Sequence, residues 1–149
     1  MPEKSTLRRA RADKRAGKAP TTQAGEFVHE EIEHVREGKH GARSTKQAIA
    51  IGLSKARRAG VKLPPPPASA KETTRRSAAS ADRAASRHRK PSARRSRAML
   101  NKLKREPKNT VSTRALSRQA TNAARRRSAA ARKRSAQKAV RTRRRHQSS

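Results

Sequence analysis

The last third of the chain holds three clusters of basic residues whose side chains are suited to binding phosphate. The planar guanidinium group of arginine can donate two parallel hydrogen bonds to the oxygens of one phosphate. Binding of such clusters to nucleic acid is driven by counterion release, so it weakens steeply with salt and depends little on base sequence. The clusters are Arg125, Arg126 and Arg127; Arg132, Lys133 and Arg134; and Arg141, Arg143, Arg144 and Arg145. They predict binding to a polyanion, with a solubilising role as the alternative.

A smaller basic set, Lys39, Arg43 and Lys46, surrounds the start of a predicted helix. Free backbone amides and the helix dipole favour an anion at such a position. The set is therefore a candidate phosphate contact, and a simple capped turn is the alternative. It is not a Walker motif, because the Gly-x-x-x-x-Gly-Lys-Ser/Thr spacing is absent and no strand precedes it.

The histidines do not predict a metal centre. His29 and His34 flank a glutamate-rich stretch, as in zinc proteases, but they are five residues apart, which is about 140° around a helix instead of one face. Neither combines with His40, His88 or His146 into a convincing ligand set, and the chain has no cysteine. We therefore predict no metal and no cofactor.

Catalysis is also not expected from these residue types. No serine, histidine and carboxylate are predicted to be held together, and nucleophilic chemistry needs such a rigid group. Phosphorylation of Ser77, Ser128 or Ser135 would reduce the neighbouring positive charge, although serine is abundant throughout the chain. The sequence predicts a protein that is not an enzyme.

The composition limits what can fold. The chain carries 42 Lys and Arg against 10 Asp and Glu, a formal net charge of +32, and Phe27 is its single aromatic residue. Residues 64–149 hold six large apolar side chains, which are Met99, Leu100, Leu103, Val111, Leu116 and Val140. These are too few to form a core that offsets the conformational entropy of the segment. We predict a basic, low-complexity, disordered tail at 64–149 that becomes partly helical on a polyanion.

Residues 21–63 hold most of the bulky apolar side chains and are the one candidate domain. Apolar residues at helical spacing predict a first helix over about 22–37. A second, over about 45–59, begins at a capping box in which Ser44 and Gln47 satisfy free amides. Gly60 fits the left-handed position after a helix, where Val61 can fold back on Ala56. The predicted fold is mostly disordered, with a small all-α helical hairpin that a homodimer would stabilise, preceded by a basic flexible arm at 1–20.

Four glutamates of the first predicted helix form a stripe opposite its apolar face: Glu26, Glu30, Glu33 and Glu37. Acid is scarce elsewhere and repels DNA. Two interpretations remain open, an ordinary solvated face and a docking surface for a basic segment of the arm, the tail or another copy.

Residues 25–64 resemble a family of small, basic, uncharacterised bacterial proteins. The similarity is most specific over Lys39-His-Gly-Ala-Arg-Ser-Thr-Lys-Gln-Ala-Ile-Ala-Ile-Gly-Leu-Ser-Lys-Ala-Arg-Arg-Ala-Gly60. The resemblance implies a bacterial cytoplasmic or nucleoid protein and supplies no functional residues. The tail is similar in composition to the tails of linker histones and bacterial histone-like proteins.

These observations predict a histone-like, nucleoid-associated protein that binds DNA with little sequence preference by neutralising phosphate. The alternatives are an RNA- or ribosome-associated basic protein and a protein-binding adaptor held on nucleic acid by its tail. The start of the chain lacks a secretory apolar region, and no apolar run is long enough to span a bilayer. We therefore expect a cytoplasmic protein without a membrane partner.

Overall fold

The computed structural model describes residues 1–147, which form seven α-helices and no strand. The helices are α1 (Lys4–Arg15), α2 (Pro20–Arg36), α3 (Thr45–Arg58), α4 (Glu72–Ser86), α5 (Ala93–Lys104), α6 (Thr113–Arg125) and α7 (Ala129–Gln147). Because 69% of the chain is helical, the prediction of a mostly disordered protein carrying one helical hairpin is wrong. The chain divides into two compact units, unit 1 (Met1–Ser112) and unit 2, which starts at Thr113.

Helix α2 is the centre of unit 1, because α1 and α3 both pack against it and α4 packs on α3. Two small apolar clusters form the core. The first surrounds the fully buried Phe27 and contains Ala10, Ala24, Ala56 and Val61. The second contains Val35, Ala42, Ala48 and Val111. Most members are alanine or valine, so close backbone packing replaces large side chains.

Helices α2 and α3 approach each other closely at Gly52. A methyl group at this position would lie 2.6 Å from the Cα atom of Val28. Such close approach is possible because glycine has no side chain. Gly60 has a φ of 90° and ends α3, and the Val61 amide donates to the Ala56 carbonyl at 3.1 Å. The predicted helix stop is therefore confirmed.

The start of α3 shows the predicted capping by Ser44. The Ser44 hydroxyl accepts a hydrogen bond from the Gln47 amide at 3.2 Å. The Gln47 side chain accepts from the amide of Arg43, one residue before the cap. The reciprocal bond thus forms with the preceding residue instead of the cap residue, and α3 begins at Thr45 as a result.

The segment predicted as a flexible arm contains a packed helix. Thr6 and Ala10 on α1 are buried, and Ala10 belongs to the Phe27 cluster. Arg9 forms an ion pair with Glu26 on α2. The buried edge of α1 and the ion pair between Arg9 and Glu26 hold this helix in place, because the longer, partly apolar α2 lies beside it.

Part of the predicted disordered tail completes the core of unit 1. Ala81, Leu103 and Val111 are buried, and Val111 joins the second cluster. The Gly41 amide donates to the Leu103 carbonyl at 2.8 Å, and the Ala42 amide donates to the Pro107 carbonyl at 2.9 Å. Of the six large apolar residues of the tail, Leu103 and Val111 are buried, whereas Met99, Leu100 and Val140 are exposed. The tail therefore attaches to the core of unit 1 through a few residues and needs no core of its own. Residues 103–111, which make these contacts, form the docking segment of unit 1.

Unit 2 is helical although none of its described residues is buried. Alanine and arginine rank high in helix propensity, and the hydrogen bonds of a helix are made within it. The Ser128 hydroxyl caps α7 by accepting from the Ala131 amide at 3.1 Å. Local propensity and capping therefore outweigh the repulsion between like charges that the disorder prediction relied on. No helix in residues 1–147 combines the length and apolar character needed to cross a membrane.

Replacing Arg57 by methionine should destabilise the junction between α3 and α4. The buried guanidinium donates to the Leu63 carbonyl at 3.2 Å, to the Pro64 carbonyl and to Asp82 Oδ2 at 2.9 Å. Loss of these bonds leaves two carbonyls unpaired, so we expect the free energy of unfolding in urea to fall by about 2 kcal/mol. Arg58→Met at the exposed neighbouring position is the control and should change it by less than about 0.5 kcal/mol. Equal effects would show that Arg57 does not hold this junction.

Candidate nucleic-acid interface

The three basic clusters predicted to bind a polyanion lie in unit 2. Arg125 is the last residue of α6, Arg126 and Arg127 lie in the connection, and the other seven lie on α7. All ten are exposed. The predicted clusters are thus presented by a helix and its preceding turn, and residues 113–147 include no acidic side chain to oppose them.

The helical spacing of α7 sorts its basic residues into two bands. One band, spanning about 60° of the circumference at 100° per residue, consists of Arg134, Lys138, Arg141 and Arg145. The other band, spanning about 120° on the opposite side, consists of Arg132, Lys133, Arg143 and Arg144. Lys138 was not among the predicted binding residues, although its position four residues after Arg134 is the signal that would have found it.

Helix α7 has the length and width of a helix that can lie in a DNA groove. A helix of 19 residues is about 28 Å long, and the major groove of B-form DNA, about 12 Å wide, admits a helix. A helix lying in that groove has phosphates on both sides. Basic residues on two opposite sides of α7 would therefore reach both strands.

Helix α1 presents a second basic surface, in unit 1. Lys4, Arg8, Arg11 and Arg15 follow one another at helical spacing of four, three and four residues, and all are exposed. Their face is directed away from the buried residues Thr6 and Ala10. The segment predicted as a basic arm thus keeps its charge on the surface while it packs through its other side.

The acidic residues of the protein are largely neutralised by neighbouring cations. Nine of the ten form ion pairs among the described residues, and most of these pairs lie in or beside α2. Exposed pairs of this kind contribute little to stability. They do reduce the repulsion that carboxylates would exert on a polyanion, because each of these nine negative charges has a positive neighbour.

The predicted acidic stripe is divided among several partners. Glu26 pairs with Arg9 of α1, whereas Glu30 is buried and contacts Lys55 Nζ at 3.1 Å. Glu33 pairs with Arg36 on its own helix and Glu37 with Lys39. At Glu26 the contact with α1 favours docking of the arm over a purely solvated face.

The buried carboxylates of Glu30 and Glu31 and the half-buried Lys55 compensate one another's charge inside the protein. Burial alone would raise the pKa of Glu30, but hydrogen bonds from Thr6, the Glu3 amide and Lys55 hold that pKa below 4.5. Burial alone would lower the pKa of Lys55, but the carboxylates of Glu31 and Glu30 raise it above 10.5. These groups therefore stay ionised at neutral pH and face one another instead of a ligand.

The loop before α3 fits the capped-turn interpretation better than the phosphate one. Lys39 already contacts Glu37 at 2.8 Å and Glu3 at 3.4 Å. Arg43 and Lys46 are exposed, but the amides of residues 41–43 are used by the docking segment and by Gln47. The amides of the loop itself are thus occupied, and the Gln47 amide is bound to Ser44.

Residues 11–66 match the model of a family of unknown function, DUF6496. The matched region runs from α1 through α3 into the proline-rich connection and leaves α7 outside. No curated protein and no solved structure matches the chain. The region of the predicted resemblance thus lies in an uncharacterised domain, and the comparisons assign no activity to it.

Proposed function

We propose that this protein binds duplex DNA with little sequence preference and acts as a histone-like, nucleoid-associated protein. The observation that carries the proposal is helix α7, which has basic side chains on two opposite sides in a unit without acidic residues. Phosphates are the groups that such a helix meets on both walls of a DNA groove.

The mechanism is neutralisation of phosphate. Each arginine or lysine that reaches a phosphate releases condensed counterions, which supplies most of the free energy of binding. Reading of base edges usually needs side chains such as asparagine or glutamine aimed into the groove, and the uncharged residues of α7 are mainly alanine, with glutamine at Gln137 and Gln147. Phosphate contacts position a protein without specifying a sequence, so weak sequence preference follows.

The second basic surface, on α1, supports a bridging role. It lies in unit 1, whereas α7 lies in unit 2. Two basic surfaces in separate units can bind two stretches of duplex, which joins and compacts them. The similarity of the chain to basic bacterial proteins and to histone-like tails supports a location on the bacterial nucleoid.

Duplex DNA fits this arrangement better than RNA. The major groove of A-form RNA is deep and narrow, so a helix does not enter it. Recognition of single-stranded RNA relies on aromatic stacking, and Phe27, the single aromatic residue, is fully buried. An RNA-bound protein is therefore the alternative outcome of the test.

Binding of the full-length protein to a labelled duplex across a salt series tests the proposal. We expect the logarithm of the association constant to fall with the logarithm of salt concentration with a slope of about −5 or steeper, as for six or more neutralised phosphates. Unlabelled DNA of unrelated sequence should compete equally, and duplex RNA at least tenfold less well. A shallow slope, or RNA that competes better than DNA, would overturn the proposal.

A further inference from the structure

Three side chains with metal-binding atoms meet at the end of α2. Glu31 and His34 are three residues apart on this helix, and His40 approaches from the loop that follows it. Their ligand atoms all lie within 4.8 Å of one another. The rings of His34 and His40 are nearly perpendicular, with centroids 5.9 Å apart. Helical spacing does not predict this group, because His40 reaches it through the loop instead of along the helix.

The carboxylate of Glu31 is almost fully buried, with 1% of its side chain exposed. One oxygen lies 2.9 Å from His40 Nε2 and the other 2.6 Å from Lys55 Nζ. Neither oxygen makes a well-directed hydrogen bond to any described residue. A buried carboxylate needs a compensating positive charge, and Lys55 supplies one at a single oxygen of Glu31.

The ring of His40 is set so that Nε2 can act as a ligand. Its other nitrogen, Nδ1, lies 2.9 Å from the carbonyl oxygen of Gly41. A carbonyl only accepts hydrogen bonds, so Nδ1 carries the proton and the lone pair of a neutral imidazole is on Nε2. A backbone carbonyl that holds the outer nitrogen in this way is the usual support of a metal-binding histidine.

Two acceptors, His40 Nε2 and Glu31 Oε1, then face each other at 2.9 Å. They can stay so close only if a proton or a cation lies between them. Glu30 and Glu31 bring two buried negative charges to this region, and Lys55 brings one positive charge. At least one further positive charge is needed for balance, and either a proton on His40 or a bound cation supplies it.

We propose that Glu31, His34 and His40 bind a divalent transition-metal ion of the zinc class. One carboxylate and two imidazoles are a donor set that Zn²⁺ and Co²⁺ accept, whereas Mg²⁺ and Ca²⁺ prefer oxygen ligands alone. The side chain of His34 is 14% exposed, so a water molecule can complete the coordination from the solvent side. Glu3 contacts His34 Nε2 at 3.0 Å and orients that ring from outside.

Binding requires a small rearrangement of the group, because zinc ligands at about 2.0–2.1 Å from a tetrahedral ion are about 3.3 Å apart. The three ligand atoms lie within 4.8 Å of one another, and rotation of the partly exposed His34 ring can bring its nitrogen closer. Glu31 Oε1 and His40 Nε2, now 2.9 Å apart, must separate by about 0.4 Å. The ion would join the end of α2 to the loop before α3 and so fix the position of the docking segment.

Titration of the chelator-treated full-length protein with Zn²⁺ or Co²⁺, in the absence of nucleic acid, tests the inference. We expect one equivalent of Zn²⁺ in calorimetry and visible absorption bands of tetrahedral Co²⁺. His34→Gln and His40→Gln should each weaken binding by more than tenfold. His29→Gln is the matched control, because His29 lies on the same helix, is exposed and stays outside the group.

Far-UV circular dichroism of each variant separates loss of binding from loss of folding. The partly exposed position of His34 makes His34→Gln the variant that keeps the fold if His40→Gln does not. The inference is overturned if His34→Gln folds and binds Zn²⁺ as the wild type does, or if His29→Gln loses binding equally. It is also overturned if Zn²⁺ leaves the ring resonances of His34 and His40 unchanged in NMR spectra, which would assign the missing positive charge to a protonated His40.

Discussion

Replacing Gly41 by alanine should lower the free energy of unfolding of unit 1 by about 3 kcal/mol, at the upper end of what overpacking costs. The added methyl group would lie 1.9 Å from the Glu106 carbonyl oxygen and 2.6 Å from that of Pro107. Both atoms belong to backbone, so neither can rotate away. Gly41 is not among the residues with positive φ, so the alanine backbone itself is unstrained. The cost therefore arises from contact with the docking segment.

Thermal unfolding and hydrogen exchange measure this effect. A loss of 3 kcal/mol corresponds to a fall in the melting temperature of about 10 °C for a unit of this size. The amides of Gly41 and Ala42, which donate to Leu103 and Pro107, should exchange faster because their acceptors are displaced.

The control is Gly25→Ala, which places a methyl group in open space on α2. It should raise stability by about 0.5–1 kcal/mol, because alanine favours helix over glycine. If Gly41→Ala were neutral or stabilising like Gly25→Ala, the docking segment would not lie against the loop, and residues 64–112 would be independent of the core as the sequence analysis predicted.

The local signals in the sequence were sufficient for the helix ends around the central pair. Ser44, Gly52 and Gly60 each has a role that follows from its own residue type, namely capping, close approach and left-handed turning. Such signals involve neighbours in sequence or a single small side chain. They carry no information about which distant segment covers the core.

The prediction that residues 64–149 are disordered is wrong because it assumes that each segment must supply its own core. Val111 is a single apolar residue in a basic stretch, yet it is buried beside Val35, far away in the sequence. Entropy arguments based on composition count how much apolar surface a segment has. They do not show that one valine and two backbone hydrogen bonds can attach a segment to a core formed elsewhere.

The two candidate sites also differ in how far the sequence predicts them. The arginine clusters of α7 could be identified from the sequence because phosphate binding depends on charge density, which is local. The grouping of Glu31, His34 and His40 depends on the turn at Gly38, whose φ of 73° directs the chain back toward α2. Spacing rules for helical ligands cannot find a ligand that arrives through a turn.

Removing five charges from α7 should weaken DNA binding by a factor on the order of a thousand at moderate salt, if the helix lies along the duplex. The variant combines substitutions from both bands of the helix: R132Q, K133Q, R134Q, R141Q and R143Q. Glutamine keeps a high helix propensity, so α7 should stay helical. With up to five fewer phosphates neutralised, the salt slope should become shallower by about 4.

A second variant with the same net charge shows whether DNA binding depends on the position of the basic residues or on the overall charge of the protein. It carries five substitutions at exposed positions of α5, which are R94Q, R95Q, R97Q, K102Q and K104Q. Both variants lose five positive charges from +32. Long-range attraction between the net charge of the protein and DNA would therefore weaken equally in the two variants. If α7 is the binding surface, the α5 variant should keep a slope within about 1 of the wild type, because long-range attraction alone involves few released counterions. Equal losses would mean that DNA responds to the overall charge, and the assignment of binding to α7 would then be wrong.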